Sequence, residues 1–103
     1  MSKYVECQLD ITKQEFIDAA QGLGYTLGSK VKMYKGIYDV EVSADNKCGY
    51  KDGKLIFDDM FGGVVASKIV AQVYTDRIRS VFGNQVEIEK INSYDSIRLV
   101  VRR

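Results

Sequence analysis

The 103 residues predict an α+β fold: an antiparallel sheet with two helices packed on one face, in the order β-α-β-β-β-β-α-β-β. Three observations carry that prediction. Apolar and polar residues alternate along several short runs, which is the period of strands with one buried face. Two longer stretches repeat their apolar residues every three or four positions, which is the period of helices. Gly, Asn, Asp and Ser mark the breaks between them, in a chain that has no proline. Strand-rich order with the helices set apart by several strands points to helices on one side of the sheet. The other side is then expected to be polar and open to a partner.

Each element has its own argument. Tyr4 to Leu9 is the first strand, with Val5, Cys7 and Leu9 on one face and Tyr4, Glu6 and Gln8 on the other. Thr12-Lys13-Gln14-Glu15 reads as a capping box, in which a hydroxyl and a carboxylate each satisfy one amide at the helix start. Phe16, Ala19, Ala20 and Leu23 continue that helix, and Gly22 and Gly24 stop it. Tyr25 to Leu27 is extended or loop. Val31 and Met33 then alternate with Lys30, Lys32 and Tyr34, and Lys35-Gly36 turns the chain. Tyr38, Val40 and Val42 alternate with Ile37, Asp39 and Glu41, and residues 44–47 make a second turn. Asp52-Gly53, between Cys48–Lys51 and Lys54–Phe57, is a two-residue hairpin signal because both positions tolerate positive φ.

The longest element is a helix from about Gly63 to Phe82. Ala66, Ile69, Val70, Val73, Ile78 and Val81 give it a broad apolar stripe, Asp58 or Asp59 is its expected cap, and Gly83-Asn84 ends it. A final hairpin pairs Val86 and Ile88 with Ile97, Leu99 and Val101. Glu87 and Glu89 are expected to face Arg98 and Arg102 across it.

Bulk properties narrow the function classes. One domain spanning 1–103 is expected, large enough for a core without metal or disulfides. The formal charge is +1, which gives no global attraction to nucleic acid, membrane or an acidic partner. No apolar run approaches a membrane span. The start runs directly into strand alternation rather than a signal-peptide block, so a cytoplasmic protein is expected. Cys7 and Cys48 alternate with polar neighbours and read as reduced, buried small hydrophobes. Histidine is absent, and with it the commonest general base and every His-based metal site. No catalytic residue, metal ligand or cofactor is assigned.

Three segments resemble a known family. They are Val70-Ala71-Gln72-Val73-Tyr74, Val86-Glu87-Ile88-Glu89 and Tyr94-Asp95-Ser96-Ile97-Arg98-Leu99-Val100-Val101-Arg102, with Tyr34-Lys35-Gly36 and Leu23-Gly24-Tyr25 as early turns. Together they are similar to the small proteins of cyanobacteria and algal plastids called hypothetical chloroplast reading frame thirty-five. The chain departs from that family at Asp59-Met60-Phe61 and Arg102-Arg103, where members carry tryptophan. The resemblance implies a fold and a place in the plastid stroma. It implies no activity and supplies no catalytic residues.

Local features give three functional expectations. Lys30, Lys32 and Tyr34 share one strand face, with Lys35 and Tyr38 around the next turn and Tyr4 on another polar face. Exposed Tyr and Lys on strands suit recognition, so the leading expectation is a non-enzymatic module that binds another protein, or a second copy of itself, through its sheet face or an edge strand. The same lysines and Tyr34 suit single-stranded RNA, by phosphate contact and base stacking. Equally, lysines on a solvated strand face discourage edge-to-edge aggregation. The third expectation is a small enzyme using carboxylate, Tyr or Cys chemistry, drawn from Asp39, Glu41, Asp45, Asp52, Asp58 and Asp59; no calcium-loop spacing is present. Phe61-Gly62-Gly63-Val64 opens a helix whose amides suit an anion, but two aspartates precede it and no P-loop lysine follows. It is read as a turn.

Overall fold

The first strand, β1 (Tyr4–Gln8), is followed by helix α1 (Lys13–Gly22) and strands β2 (Leu27–Ser29), β3 (Val40–Val42), β4 (Cys48–Lys51) and β5 (Lys54–Asp58). Helix α2 (Gly63–Phe82), a 3-10 turn at Gly83–Gln85, and strands β6 (Glu87–Asn92) and β7 (Ile97–Arg102) complete the order. This computed structural model describes residues 4–29, 39–42, 48–58, 62–92 and 97–102. The element order is the expected one, and the fold is α+β with antiparallel strand pairing throughout.

Local chemistry sets the helix ends. Thr12 accepts a hydrogen bond from the Glu15 amide at 3.1 Å, and Glu15 Oε1 accepts one from the Thr12 amide at 2.9 Å, so the capping box is closed. At the far end the Gly24 amide donates to Gln21 and the Tyr25 amide to Ala20, the paired bonds of a Schellman motif. That motif needs a left-handed residue, and Gly24 supplies it with φ +90°. Helix α2 begins at Gly62 with no side-chain cap, which corrects the expectation of an aspartate there. Asp58 is instead fully buried at the end of β5, and its carbonyl accepts from the Gly62 amide at 2.8 Å.

Five strands form one sheet in the order β1-β5-β4-β3-β2. The β4–β5 turn places Asp52 at φ 50° and Gly53 at φ 79°, as the two-residue hairpin requires. Register sends Cys48, Tyr50, Leu55 and Phe57 to one face. There α1 covers β2 to β4 and α2 covers β4 and β5. Phe16, Ala19, Ala20, Ile69 and Val73 from the helices meet Val40, Val42, Cys48, Tyr50 and Leu55 from the strands in the core. Phe16 is completely buried, which contributes about 2 kcal/mol of hydrophobic stabilisation. Its ring lies 5.7 Å from that of Tyr50, whose hydroxyl donates to the Ile11 carbonyl at 3.0 Å. Sheet and α1 are thus joined by packing and by a buried hydrogen bond.

Two findings depart from the expected layout. The outer face of the sheet is closed at its centre, because Gly49, Ile56 and Asp58, which alternate with the core residues, are buried as well. The final hairpin does not join the main sheet; β6 and β7 form a two-stranded sheet of their own. It packs on α2 instead. Helical geometry shows where: Ala71 and Thr75 lie roughly 200° around the helix from Ile69 and Val73, yet all four are buried. The helix is therefore covered on two opposite sides. Lys90 of β6 donates to Gln72 at 2.6 Å on the hairpin side. Among the described residues, no helix is long and apolar enough to cross a membrane.

Candidate functional site

Alternation in two strands and a second stripe on α2 build an apolar groove. Cys7 and Leu9 belong to the inward face of the β1 segment, and Leu55 and Phe57 of β5 stand beside them. Ser67, Val70, Ala71 and Tyr74 sit at i, i+3, i+4 and i+7 on α2, one face of a helix. Ile97 and Leu99, alternate residues of β7, close the other side. The groove has a volume of about 410 Å³, within the range of binding pockets. Its rim exposes Tyr74 (43%), and Val81, two turns further along the same stripe, is 75% exposed.

Strand edges flank this groove on both sides. β1 is the last strand of the five-stranded sheet, and β7 is one of only two in the hairpin. Among the described residues neither has a second neighbour. Edges of this kind carry unpaired amides and carbonyls, which can bind another strand.

A clamp between the helices fixes the rim. Glu15 takes Arg77 in a bidentate pair, with Nε to Oε2 at 2.5 Å and a second guanidinium nitrogen to Oε1 at 2.8 Å. The same nitrogen donates to the Asp10 carbonyl. Arg77 also lies 5.7 Å from the centroid of the Tyr74 ring. Hydrogen bonds from Arg77, then the Thr12 amide, hold the Glu15 carboxyl down at about 2. Glu15 is therefore an ionised anchor near neutral pH. A recess of about 570 Å³ lies beside this clamp, lined by Asp18, Asp76 and Ser80 among others.

Both cysteines are free; Cys48 is buried, and burial pushes its thiol up to about 12, away from the thiolate a nucleophile needs. Asp39 accepts from the Asp52 amide at 3.4 Å and steadies the β4–β5 turn. Arg102 pairs with Glu89 at 3.1 Å as a diagonal neighbour, while Arg98 stands opposite Ile91 rather than a glutamate. Among the described residues no cluster of Cys, Asp or Glu is placed to hold a metal ion.

Of the residues expected to bind a partner, Lys30, Lys32, Tyr34, Lys35 and Tyr38 lie outside the described residues. Tyr4 is described only in its backbone, which pairs with Asp58. Sequence reasoning missed the groove and the Arg77 clamp. One signal for the groove was present: Ser67, Val70, Ala71 and Tyr74 form a stripe offset from Ala66, Ile69 and Val73. Read as one broad stripe, the two faces merged. No family model matches the chain, and neither a curated protein nor a solved structure matches it.

Proposed function

We propose that this chain is a non-enzymatic protein-interaction module whose binding site is the groove between β1, α2 and β7. One observation carries the reading: an apolar trough lies between two strand edges that lack a second neighbour among the described residues. Apolar surface supplies affinity, and open backbone edges supply direction. The rim tyrosine is of the residue type that dominates interface energetics, and Arg77 restrains it. Glu15 is held in the clamp, and Cys48 is packed in the core.

The test is a blocking substitution. Ser67 is exposed, lines the groove and lies outside the core, so Ser67→Arg fills the site without disturbing the fold. Proteins retained by the wild-type chain from the source cell's extract are expected to be lost from Ser67→Arg, while circular dichroism stays unchanged. Equal retention by the two chains removes the groove from consideration.

The nucleic-acid alternative rests on Lys30, Lys32, Tyr34 and Lys35, and kinship with the plastid family rests on the closing segment; both are proposals that the groove neither needs nor strengthens.

A further inference from the structure

The geometry of the hairpin narrows what the groove takes, given that the groove is the site. Of the two hairpin strands, β7 borders the groove and β6 does not. Ile97 and Leu99 of β7 line the groove, whereas β6 contributes Lys90 only to a neighbouring recess, which Ile97 shares with Leu23 and Tyr25. The edge of β7, which has no second neighbour among the described residues, is therefore the one nearer the groove. A strand added to that edge would lie above Val70 and Tyr74, between β7 and β1. Its side chains would alternate, half pointing down onto α2 and half pointing away.

Charge selects the outward set. On the outer face of β7 two arginines stand four residues apart. Arg102 is paired with Glu89, but Arg98 is exposed, faces Ile91, and makes no ion pair among the described residues. On β1 the outward Glu6 already holds Lys54 at 3.6 Å. The charge left to answer on the hairpin edge is positive. A residue on an added strand directly beside Arg98 sits within cross-strand reach, where opposite charges attract and like charges repel. A two-stranded ribbon is also marginal by itself, and a third strand stabilises it.

We propose that the free edge of β7 takes an added strand from a partner protein: an extended segment with apolar side chains at alternate positions, filling the groove, and a carboxylate between them beside Arg98. Main-chain bonds to β7 set the segment's alignment. The apolar set fills the trough over Val70. Arg98 discriminates acidic from basic segments.

The experiment titrates the nitrogen-15-labelled 103-residue chain with a nine-residue probe peptide that alternates valine with glutamate. Four control peptides accompany it: one with glutamates replaced by lysines, one of the same composition with alternation broken, and two with the backbone N-methylated at every other residue, one in each register. The probe is expected to shift the amides of residues 97–102 and slow their hydrogen exchange. N-methylation is expected to weaken binding at least about tenfold by removing edge hydrogen bonds. The lysine version is expected to bind about fivefold more weakly, and Arg98→Glu to reverse that order. Equal binding of the N-methylated peptides overturns strand addition, and equal binding of acidic and basic peptides overturns the role of Arg98. If no peptide binds while Ser67→Arg still loses its cellular partners, the strand inference falls and the groove reading stands. If Ser67→Arg keeps them, the groove reading falls, and the inference with it.

Discussion

Two requirements meet in the carboxylate of Glu15. It closes the cap of α1 through the Thr12 amide and binds Arg77 of α2 through both oxygens. Its pKa in the folded chain, about 2 against an ordinary 4.5, means that folding favours the ionised form. The sign follows from linkage: the stabilisation is complete above about pH 5 and is lost as pH falls toward 2, where the folded carboxylate finally protonates. Arg77→Met removes the largest cause of the depression. Urea unfolding between pH 5 and 2 is expected to show a shallower fall for Arg77→Met than for the wild type, with lower stability at pH 7. Parallel curves would show that the pair does not control this titration. Half of this arrangement was legible in the sequence. Thr12 and Glu15 are three residues apart and declare a cap, whereas Arg77 lies 62 residues from Glu15 and nothing local announces it. Tyr50 is similar: the sequence places it within the Cys48–Lys51 run, but does not announce its bond to the Ile11 carbonyl.

At the scale of elements, ends were more legible than environments. Helix α2 spans Gly63–Phe82 as its spacing and Gly83 predicted, and the Asp52-Gly53 turn takes the positive φ values its residue types allow. The end of α1 provides a test with opposite signs. A side-chain carbon on Gly22 or on Gly24 would meet no atom within 4 Å, so packing is neutral at both. Gly22 is helical, and Gly22→Ala is expected to stabilise by about 0.5–1 kcal/mol. Gly24 has φ +90°, and Gly24→Ala is expected to cost about 1–2 kcal/mol. Denaturation midpoints check both; the same sign for the pair would contradict the Schellman end. The cap of α2 was misread because Asp58 satisfies the usual preference by type, yet its strand register takes it into the interior. The strand at Leu27–Ser29 overlaps only the end of Tyr25–Leu27, which reads as extended or loop, since Gly28 and Ser29 carry little strand preference and the pairing with β3 forms it.

Across the whole molecule the layers are sheet, helices, then hairpin, with α2 serving both neighbours. The hairpin contributes two strands and leans on one helix, whereas β4 and β5 are flanked by strands on both sides and roofed by the core. Hydrogen exchange is therefore expected to be about tenfold or more faster in β6 and β7 than in β4 and β5. Uniform protection would mean that the hairpin unfolds only with the rest. Hydrophobic period alone placed two helices on one face of a sheet. It was silent on the third layer, because a helix buried on opposite sides and a helix with one wide stripe share the same composition. The groove was hidden for the same reason, being assembled from β1, β5, α2 and β7, which no window of sequence contains together.

The two thiols also differ in a way that is useful at the bench. Cys48 is sealed inside and held protonated, whereas Cys7 is only half-buried and stands in the wall of the trough. A maleimide dye added to the unmutated chain would accordingly settle on Cys7 alone. The protein thus comes with its own attachment point for an optical sensor, beside the place where a guest strand would lie.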